Sequence, residues 1–284
     1  MANLNKKITI VVARFALTCA LCVGCSALLT STAWADDVND GVAAAQKGDF
    51  ATALKLLQPL AERGDAVAQF SLGLMYDDGQ GVAQDYNAAV KWFTAAAEQG
   101  IGAAGFNLGI IYFNGLGVAK DYKTALKWFT VAAELGDASG QFNLGSMYQN
   151  GQGILQDYKA AVKWYTAAAE QGFVNAQYNL GVMYNNGQGV AQDYKAAVKW
   201  YTAAAEQGAA DAQSNLGIMH FKGTGVMQNF VKAHAWFNIA ASSGNSEHAA
   251  EKRDKIAQKM TPAQIAQAQE LAARCVKSNY KDCD

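Results

Sequence analysis

Five short loops with two glycines each are the first feature of the sequence that could do chemistry. They begin at Gly79, Gly115, Gly151, Gly187 and Gly223 and read G-x-G followed by valine or isoleucine. Glycine-rich loops can cradle phosphate groups, but a phosphate loop follows a strand and carries a lysine after its glycines. Neither signal accompanies these loops. Five near-copies instead indicate turns.

Three histidines near the end of the chain could provide metal ligands. They are His220, His234 and His248, fourteen residues apart. In the repeated pattern described below, His220 replaces a tyrosine and His234 a valine. This favours substitutions at ordinary repeat positions over a metal site. The sequence also lacks H-E-x-x-H and G-x-S-x-G motifs and any nucleophile placed beside a base. We therefore expect no metal, no cofactor and no catalytic residue, hence a protein that is not an enzyme.

Two cysteines, Cys275 and Cys283, lie outside the N-terminal segment. Two cysteines in an exported chain are most simply explained by a disulfide. A thioredoxin-like redox site would need the much narrower C-x-x-C spacing. We expect a structural bridge that pins the C-terminal tail, because both residues follow the repeated region.

The first 35 residues have the features of a cleaved export signal. Lys6, Lys7 and Arg14 make the start positive, a mainly apolar stretch follows, and Ala33-Trp34-Ala35 fits an A-x-A cleavage site. Cleavage after Ala35 takes three of the 23 basic side chains away and leaves 20 against 24 acidic ones. This balance is unlike that of a nucleic-acid binder. We expect a periplasmic or secreted protein whose mature form has no transmembrane span.

Two other interpretations of this segment remain open. A retained membrane anchor would need about 20 apolar residues, and the apolar part is shorter and interrupted. A lipoprotein acylated at Cys25 is suggested by Val23-Gly24-Cys25, although Cys22 stands where such motifs usually carry leucine.

The rest of the chain is dominated by an internal repeat of 36 residues. The fourteen letters KAAVKWYTAAAEQG at 159–172 return unchanged at 195–208. A period between about 20 and 50 residues is the signature of a solenoid. The series is marked by Trp92, Trp128, Trp164, Trp200 and Trp236, and its units are 65–100, 101–136, 137–172, 173–208 and 209–244.

Each unit predicts two helices. Ala68, Leu72 and Tyr76 share one helical face, and Gly73 beside them is expected to allow close approach of a neighbouring backbone. The glycine loop then ends the first helix in a left-handed conformation. Asp85 and its equivalents are placed as N-caps of the second helix.

The two ends of the array have the pattern of caps. Residues 36–64 form a degenerate N-terminal unit, with the glycine loop shortened to Lys47-Gly48-Asp49. Residues 245–284 predict two further helices, the second starting at Thr261-Pro262. The predicted fold class is therefore all-α: an α/α superhelical solenoid of five helix-turn-helix units plus caps.

One unit, from Ala68 to Gly100, reads A-x-x-x-L-G-x-x-Y-x-x-G-x-G-V-x-x-D-Y-x-x-A-x-x-W-x-x-x-A-A-x-x-G. This pattern resembles the Sel-one-like repeat (SLR), a relative of the tetratricopeptide repeat. The resemblance implies a right-handed superhelix acting as an adaptor in protein complexes. Exported bacterial members are associated with envelope assembly, cell-wall enzymes and host contact. One cysteine-rich branch is linked to β-lactams, but it carries a cysteine pair in nearly every unit, unlike this chain.

What differs between the units indicates a binding surface. On the first helix, Phe70, Leu74 and Asp77 lie opposite the Leu72 face, at about 100° per residue. Their equivalents would form either a concave peptide groove or a layer buried between successive first helices. We take the most variable positions, with the asparagines that border them, as candidates for partner contact. They are Asp77, Phe113, Gln149, Asn185 and Phe221, with Asn107, Asn143, Asn179 and Asn215.

Together these features predict a non-enzymatic scaffold of the bacterial cell envelope that binds a partner protein or peptide on its concave face. Two alternatives stay open. One is a peptidoglycan- or β-lactam-directed binder or hydrolase, suggested by the compartment and the many aromatic residues. The other is a secreted host-interaction factor, which would share every sequence feature with the scaffold.

Overall fold

The computed structural model describes residues 31–243 and 247–283. Within these ranges lie fourteen α-helices and no β-strand, which confirms the predicted all-α class. Most of the predicted export signal lies outside the described residues, and the predicted cleavage point after Ala35 falls within the first helix. The helices are α1 (Ser31–Gln46), α2 (Phe50–Glu62), α3 (Ala66–Asp78), α4 (Tyr86–Glu98), α5 (Gly102–Asn114), α6 (Tyr122–Glu134), α7 (Ala138–Asn150), α8 (Tyr158–Glu170), α9 (Val174–Asn186), α10 (Tyr194–Ala205), α11 (Ala210–Lys222), α12 (Phe230–Ser242), α13 (Glu247–Ala257) and α14 (Pro262–Lys277).

The helices keep the 36-residue step because each repeat ends its first helix and begins its second with the same kind of signal. Gly79 ends α3 at φ 67°, and its N–H donates to the carbonyl of Met75. The Asp85 carboxylate then accepts from the first free amides of α4, as the sequence predicted. First helices begin at residues 66, 102, 138, 174 and 210, and second helices at 86, 122, 158, 194 and 230.

The chain divides into two compact units between Leu155 and Gln156. In the first unit, each helix from α1 to α7 packs against the next one along the chain, and α5 also contacts α7. Its core runs through neighbouring repeats and includes the fully buried Leu57, Leu72 and Phe93. Each repeat therefore completes its apolar face with its neighbour's surface.

In the second unit, α8 to α12 pack in the same sequential way, and α12 is covered by both α13 and α14. Its core joins Tyr201, Trp236 and Leu271. The start of α14 is a capping box, in which Thr261 accepts from the Gln264 amide and the Gln264 side chain accepts from the Thr261 amide. Both predicted C-terminal helices are thus confirmed.

In four repeats the glycine of the Leu-Gly pair makes room for a side chain. A Cβ added at Gly181 would lie 2.5 Å from Cδ1 of Tyr201, on the second helix of the same repeat. At Gly73 the ring of Phe93 takes the same place. The expectation that Gly73 admits a neighbouring backbone is therefore wrong, because an aromatic ring fills the space that its missing side chain leaves.

Candidate functional site: the first-helix row

All nine candidate residues lie on first helices. We call the positions of Phe70, Leu74 and Asp77, with their equivalents in later repeats, the first-helix row. Among the candidates, Asn107 is buried and the other eight are half-buried. The first unit carries Asp77 on α3, Asn107 and Phe113 on α5, and Asn143 and Gln149 on α7; the second carries Asn179 and Asn185 on α9, and Asn215 and Phe221 on α11.

The aromatic members of the row pack against the second helix of their own repeat. The ring centroid of Phe70 lies 5.9 Å from that of Phe93, and the centroid of Tyr178 lies 6.0 Å from that of Tyr201. Tilted pairs at such distances stabilise the fold beyond the area that they bury. Phe70 is fully buried, whereas Tyr178 keeps part of its surface exposed. These rings thus pack on the second helix of their own repeat, a contact that the sequence pattern did not predict.

Phe113 is held by the loop and the second helix that follow it. Its ring centroid lies 5.0 Å from that of Tyr122 and 6.4 Å from that of Phe129. Nζ of Lys120 lies 4.7 Å from the Tyr122 centroid and 5.9 Å from that of Phe113, a favourable arrangement of a cation over rings. In three other repeats the Lys120 position is a glutamine that donates to the end of the first helix: Gln84 to Asp77, Gln192 to Asn185 and Gln228 to Phe221.

Phe221 is shared between the last repeat and the C-terminal cap. Its ring centroid lies 5.7 Å from that of Phe230. It also packs in the apolar cluster of Phe237 and Ile256, the latter from α13. Nζ of Lys259 lies 5.3 Å from the Phe221 centroid. The segment of α13 and the turn after it therefore reach this end of the row.

Two bordering asparagines use their side-chain donors within their own helices. Nδ2 of Asn107 donates to the carbonyl of Ala103, and Nδ2 of Asn143 donates to that of Ser139, both at 2.8 Å. Such bonds to the preceding turn satisfy the amide locally. With Asn107 only 5% exposed, its side chain is placed chiefly to hold the helix.

Asn215 lies in a polar cluster of the second unit. Its side chain hydrogen-bonds to the hydroxyls of Tyr178 and Tyr201. Burial raises the pKa of both tyrosines, and the nearby Asp211 carboxylate raises that of Tyr178 further. Both hydroxyls therefore stay neutral near pH 7 and act as hydrogen-bond partners of Asn215.

One row position changes its chemistry from repeat to repeat while the helix around it stays the same. It is half-buried as Asp77, Gln149 and Asn185, and phenylalanine occupies it in the second and fifth repeats. Nδ2 of Asn185 donates to Oδ1 of the adjacent Asn186 at 2.9 Å. The same backbone thus presents a carboxylate, an amide or an aromatic ring.

A set of buried glutamines that joins neighbouring repeats was missed by the sequence interpretation. Nε2 of Gln69 donates to the carbonyl of Ala61 at the end of α2, and its Oε1 accepts from Nε2 of Gln99 at 2.8 Å. Buried amides need such partners. Their recurrence three residues before the Leu-Gly pair could have revealed them. The same bond joins Gln141 to Ala133, Gln177 to Ala169 and Gln213 to Ala205.

The described ranges contain no group of three His, Cys, Asp or Glu side chains that could hold a metal. His234 is 3% exposed on α12, and its Nδ1 has no hydrogen-bond partner among the described atoms. Burial lowers the pKa of His234, Arg253 lowers it further, and Asp254 acts in the opposite direction. His234 is therefore a buried, neutral side chain.

Cys275 and Cys283 form the predicted disulfide, with Cα atoms 4.5 Å apart. The bridge folds the tail back so that Tyr280 lies beside Gly208, where an added Cβ would be 3.4 Å from Cε2 of the ring. A disulfide fits a protein that resides outside the cytoplasm. No helix of the described segments is long and apolar enough for a membrane span.

The sequence profile of the Sel1 repeat matches six segments of the chain. Five follow the predicted units closely. The remaining match, 40–65, covers most of the predicted degenerate N-terminal unit, residues 36–64. The matched segments are 40–65, 66–101, 103–137, 138–173, 174–208 and 210–245.

Two solved structures resemble the chain. A Sel1 repeat protein from Oxalobacter formigenes is 33% identical over 74% of this chain and 84% of that one, with a TM-score of 0.68. The protein c5321, a protective antigen of uropathogenic Escherichia coli with an SLR fold, is 32% identical over 80% of this chain and 57% of its own, with a TM-score of 0.52. No curated protein matches this chain significantly.

Proteins built from this repeat are generally non-catalytic scaffolds for protein interactions. The repeat profile matches well over half of this chain, and the paired helices from α3 to α12 follow its period. The chain belongs to the Sel1-repeat family.

Proposed function

We propose that the protein is a non-enzymatic scaffold of the bacterial cell envelope that binds a partner protein or peptide through the first-helix row. One observation carries this proposal. The last position of the row stays half-buried in every repeat, yet its side chain changes between Asp77, Phe113, Gln149, Asn185 and Phe221.

A position that serves packing alone would keep one kind of side chain, as the leucine of the Leu-Gly pair does in all five units. A solenoid presents such variable positions along an extended surface, which in this family is expected to be concave. The row side chains stand on helices already ordered by the core. Binding through them would therefore cost little additional ordering.

Two features support a place in the cell envelope. The Cys275–Cys283 bridge fits an oxidising compartment. The sequence of the first 35 residues predicts export. A soluble periplasmic form is the simplest state consistent with both.

The test is an in-cell crosslinking pull-down of the tagged protein, followed by mass spectrometry. Gln149→Arg/Asn185→Arg places a long cation at one row position in each unit without entering the core. The matched control is Asn87→Arg/Asn175→Arg, at exposed positions outside the row. Circular dichroism first establishes that both variants are folded. We expect one protein to be captured by the parent and the control and lost from the row variant.

Two outcomes would contradict the proposal. Equal capture by the row variant would show that the partner binds elsewhere. Absence of any specific capture by parent and control would remove the scaffold function itself. Turnover of a cell-wall or β-lactam substrate by the purified protein would then become the next measurement.

A further inference from the structure

The C-terminal cap places two lysines against the end of the first-helix row in the second unit. Nζ of Lys252, on α13, donates to Oγ of Ser214 at 3.4 Å and lies 5.8 Å from the ring centroid of Phe237. Nζ of Lys259, in the turn after α13, lies 5.3 Å from the centroid of Phe221. Ser214 and Phe221 are the first and last row positions of the fifth repeat. The two ammonium groups therefore stand at both ends of this part of the row.

The other Lys and Arg side chains of α13 are paired within the helix. Nζ of Lys255 lies 2.6 Å from Oε1 of Glu251, and Nη2 of Arg253 lies 2.8 Å from Oδ1 of Asp254. In the described ranges, Lys252 and Lys259 contact a hydroxyl and aromatic rings, and the Glu251 carboxylate, already bridged to Lys255, also attracts the Lys252 ammonium. One carboxylate, Glu251, is thus shared by two lysines, so the charge of Lys252 is only partly balanced within its own helix.

The surface between these two lysines is partly apolar. Ile218 lies one helical turn after Ser214, and both Ile218 and Phe221 are half-buried in the cluster formed with Ile256. An apolar side chain laid on this surface would complete the burial of Ile218 and Phe221. Carboxylates on either side of it would come within reach of the two lysines.

We infer that this end of the row binds an extended acidic segment of a partner protein, with carboxylates on Lys252 and Lys259 and an apolar side chain on Ile218 and Phe221. This inference rests on the proposed function, because it names the chemistry of a partner for the same row. Charge complementarity selects the occupant. A neutral segment would cover the half-buried Lys252 and remove water from a charge that Glu251 only partly balances. A nucleic acid would require a broad basic surface, which a chain of net charge −1 does not provide.

The first experiment selects peptides from a displayed library of short random sequences. The bait is the purified protein, its Lys252→Glu/Lys259→Glu variant, or the control Lys159→Glu/Lys195→Glu. The control carries the same charge change in the first turns of α8 and α10, where a helix N-terminus favours glutamate. We expect parent and control to select peptides with several Asp or Glu residues beside an apolar one. The cap variant should select none of these.

Fluorescence anisotropy with a selected peptide then measures the contribution of the two lysines. Loss of each ammonium should weaken binding roughly fivefold, so that Lys252→Gln/Lys259→Gln binds about 25-fold more weakly and the charge-reversed variant more weakly still. The same peptide with amides in place of its acids should lose affinity similarly, and added salt should weaken the parent complex. Lys252→Gln/Lys259→Gln, which adds no new charge, replaces the reversed variant if that variant is unfolded.

Lack of acidic enrichment in the peptides that the parent selects, or equal binding by the cap variant, would overturn the inference. The crosslinking experiment keeps this failure separate from that of the proposed function. If the partner captured in cells is lost from the row variant but retained by the cap variant, the scaffold stands and the acidic specificity is wrong.

Discussion

At the scale of single residues, the tightest constraint is the pairing of a first-helix glycine with a second-helix ring. The pair is found in four repeats, always twenty residues apart, as in Gly109 and Phe129. A flat ring can approach a helix this closely only where the helix lacks a Cβ. This pairing explains why a residue that weakens helices recurs inside one.

Gly109→Ala should destabilise the protein by about 1–3 kcal/mol, because the new methyl group collides with the Phe129 ring. Helix propensity alone would predict that the same substitution increases stability by about 1 kcal/mol. Urea unfolding followed by circular dichroism distinguishes these signs. Adding Phe129→Leu to the alanine variant should recover part of the loss. A more stable Gly109→Ala protein would refute the collision.

His234 should make the protein less stable in mild acid. Its pKa in the folded chain lies below the ordinary value of about 6.5, so the unfolded chain takes up the proton first as pH falls. The contribution of neutral His234 to the free energy of unfolding is fully present above about pH 6.5. It is lost as the pH falls from there toward the pKa of His234 in the folded chain. His234→Val restores the residue found at Val90, Val162 and Val198 and should flatten this part of the profile.

Urea midpoints of parent and His234→Val, measured between about pH 7.5 and about pH 5, provide the comparison. His220 and His248 are present in both proteins, so the difference between the two profiles reports on His234. The gap between the two midpoints should widen toward acid. Parallel profiles would show that His234 does not cause the acid sensitivity.

At the scale of elements, each helix pair is encoded locally, whereas the C-terminal tail is held by a covalent bond. Each repeat has a left-handed glycine and an N-cap that is aspartate in the first four repeats and Asn229 in the fifth, so helix bounds follow from a few neighbouring residues. The tail after α14 has two residues, Asn279 and Tyr280, with positive φ. Its conformation therefore depends on the Cys275–Cys283 bridge and on the contact with Gly208.

Cys275→Ala/Cys283→Ala should release the tail while leaving the repeats folded. A loop this short contributes about 2–3 kcal/mol when it is closed by a disulfide. Hydrogen exchange measured by mass spectrometry should show faster exchange in residues 276–283, with that of α8 to α11 unchanged. Faster exchange throughout the second unit would instead mean that the bridge supports the repeats.

At the scale of the whole molecule, repetition makes stability depend on contacts between neighbouring repeats. Deletion of residues 101–136 removes one complete repeat and joins two equivalent positions. We expect a folded, soluble protein with a lower urea midpoint. Deletion of 101–118 alone removes α5 and its loop, and leaves α4 and α6 without the helix that both pack against. This shorter deletion should abolish cooperative unfolding, and equal behaviour of the two deletions would contradict the repeat packing.

The candidate surface was less predictable than the fold. The 36-residue period and the angle of about 100° per helical residue place Asp77, Phe113 and Asn107 on the correct helices. Both quantities depend on sequence spacing alone. Exposure depends on neighbours that are distant in sequence. Phe113 meets Tyr122 and Phe129, while Asn107 turns its amide to its own helix.

By itself, the sequence determined the helix pairs, their caps, the repeat period and the family, because short-range backbone preferences set all of these. Tertiary structure decided which ring fills the space beside each glycine and which amides are satisfied internally. It also brought Lys252 and Lys259 to the last part of the row. The physical reason is that side-chain contacts depend on packing between helices, and no local pattern specifies which atoms of distant segments will meet.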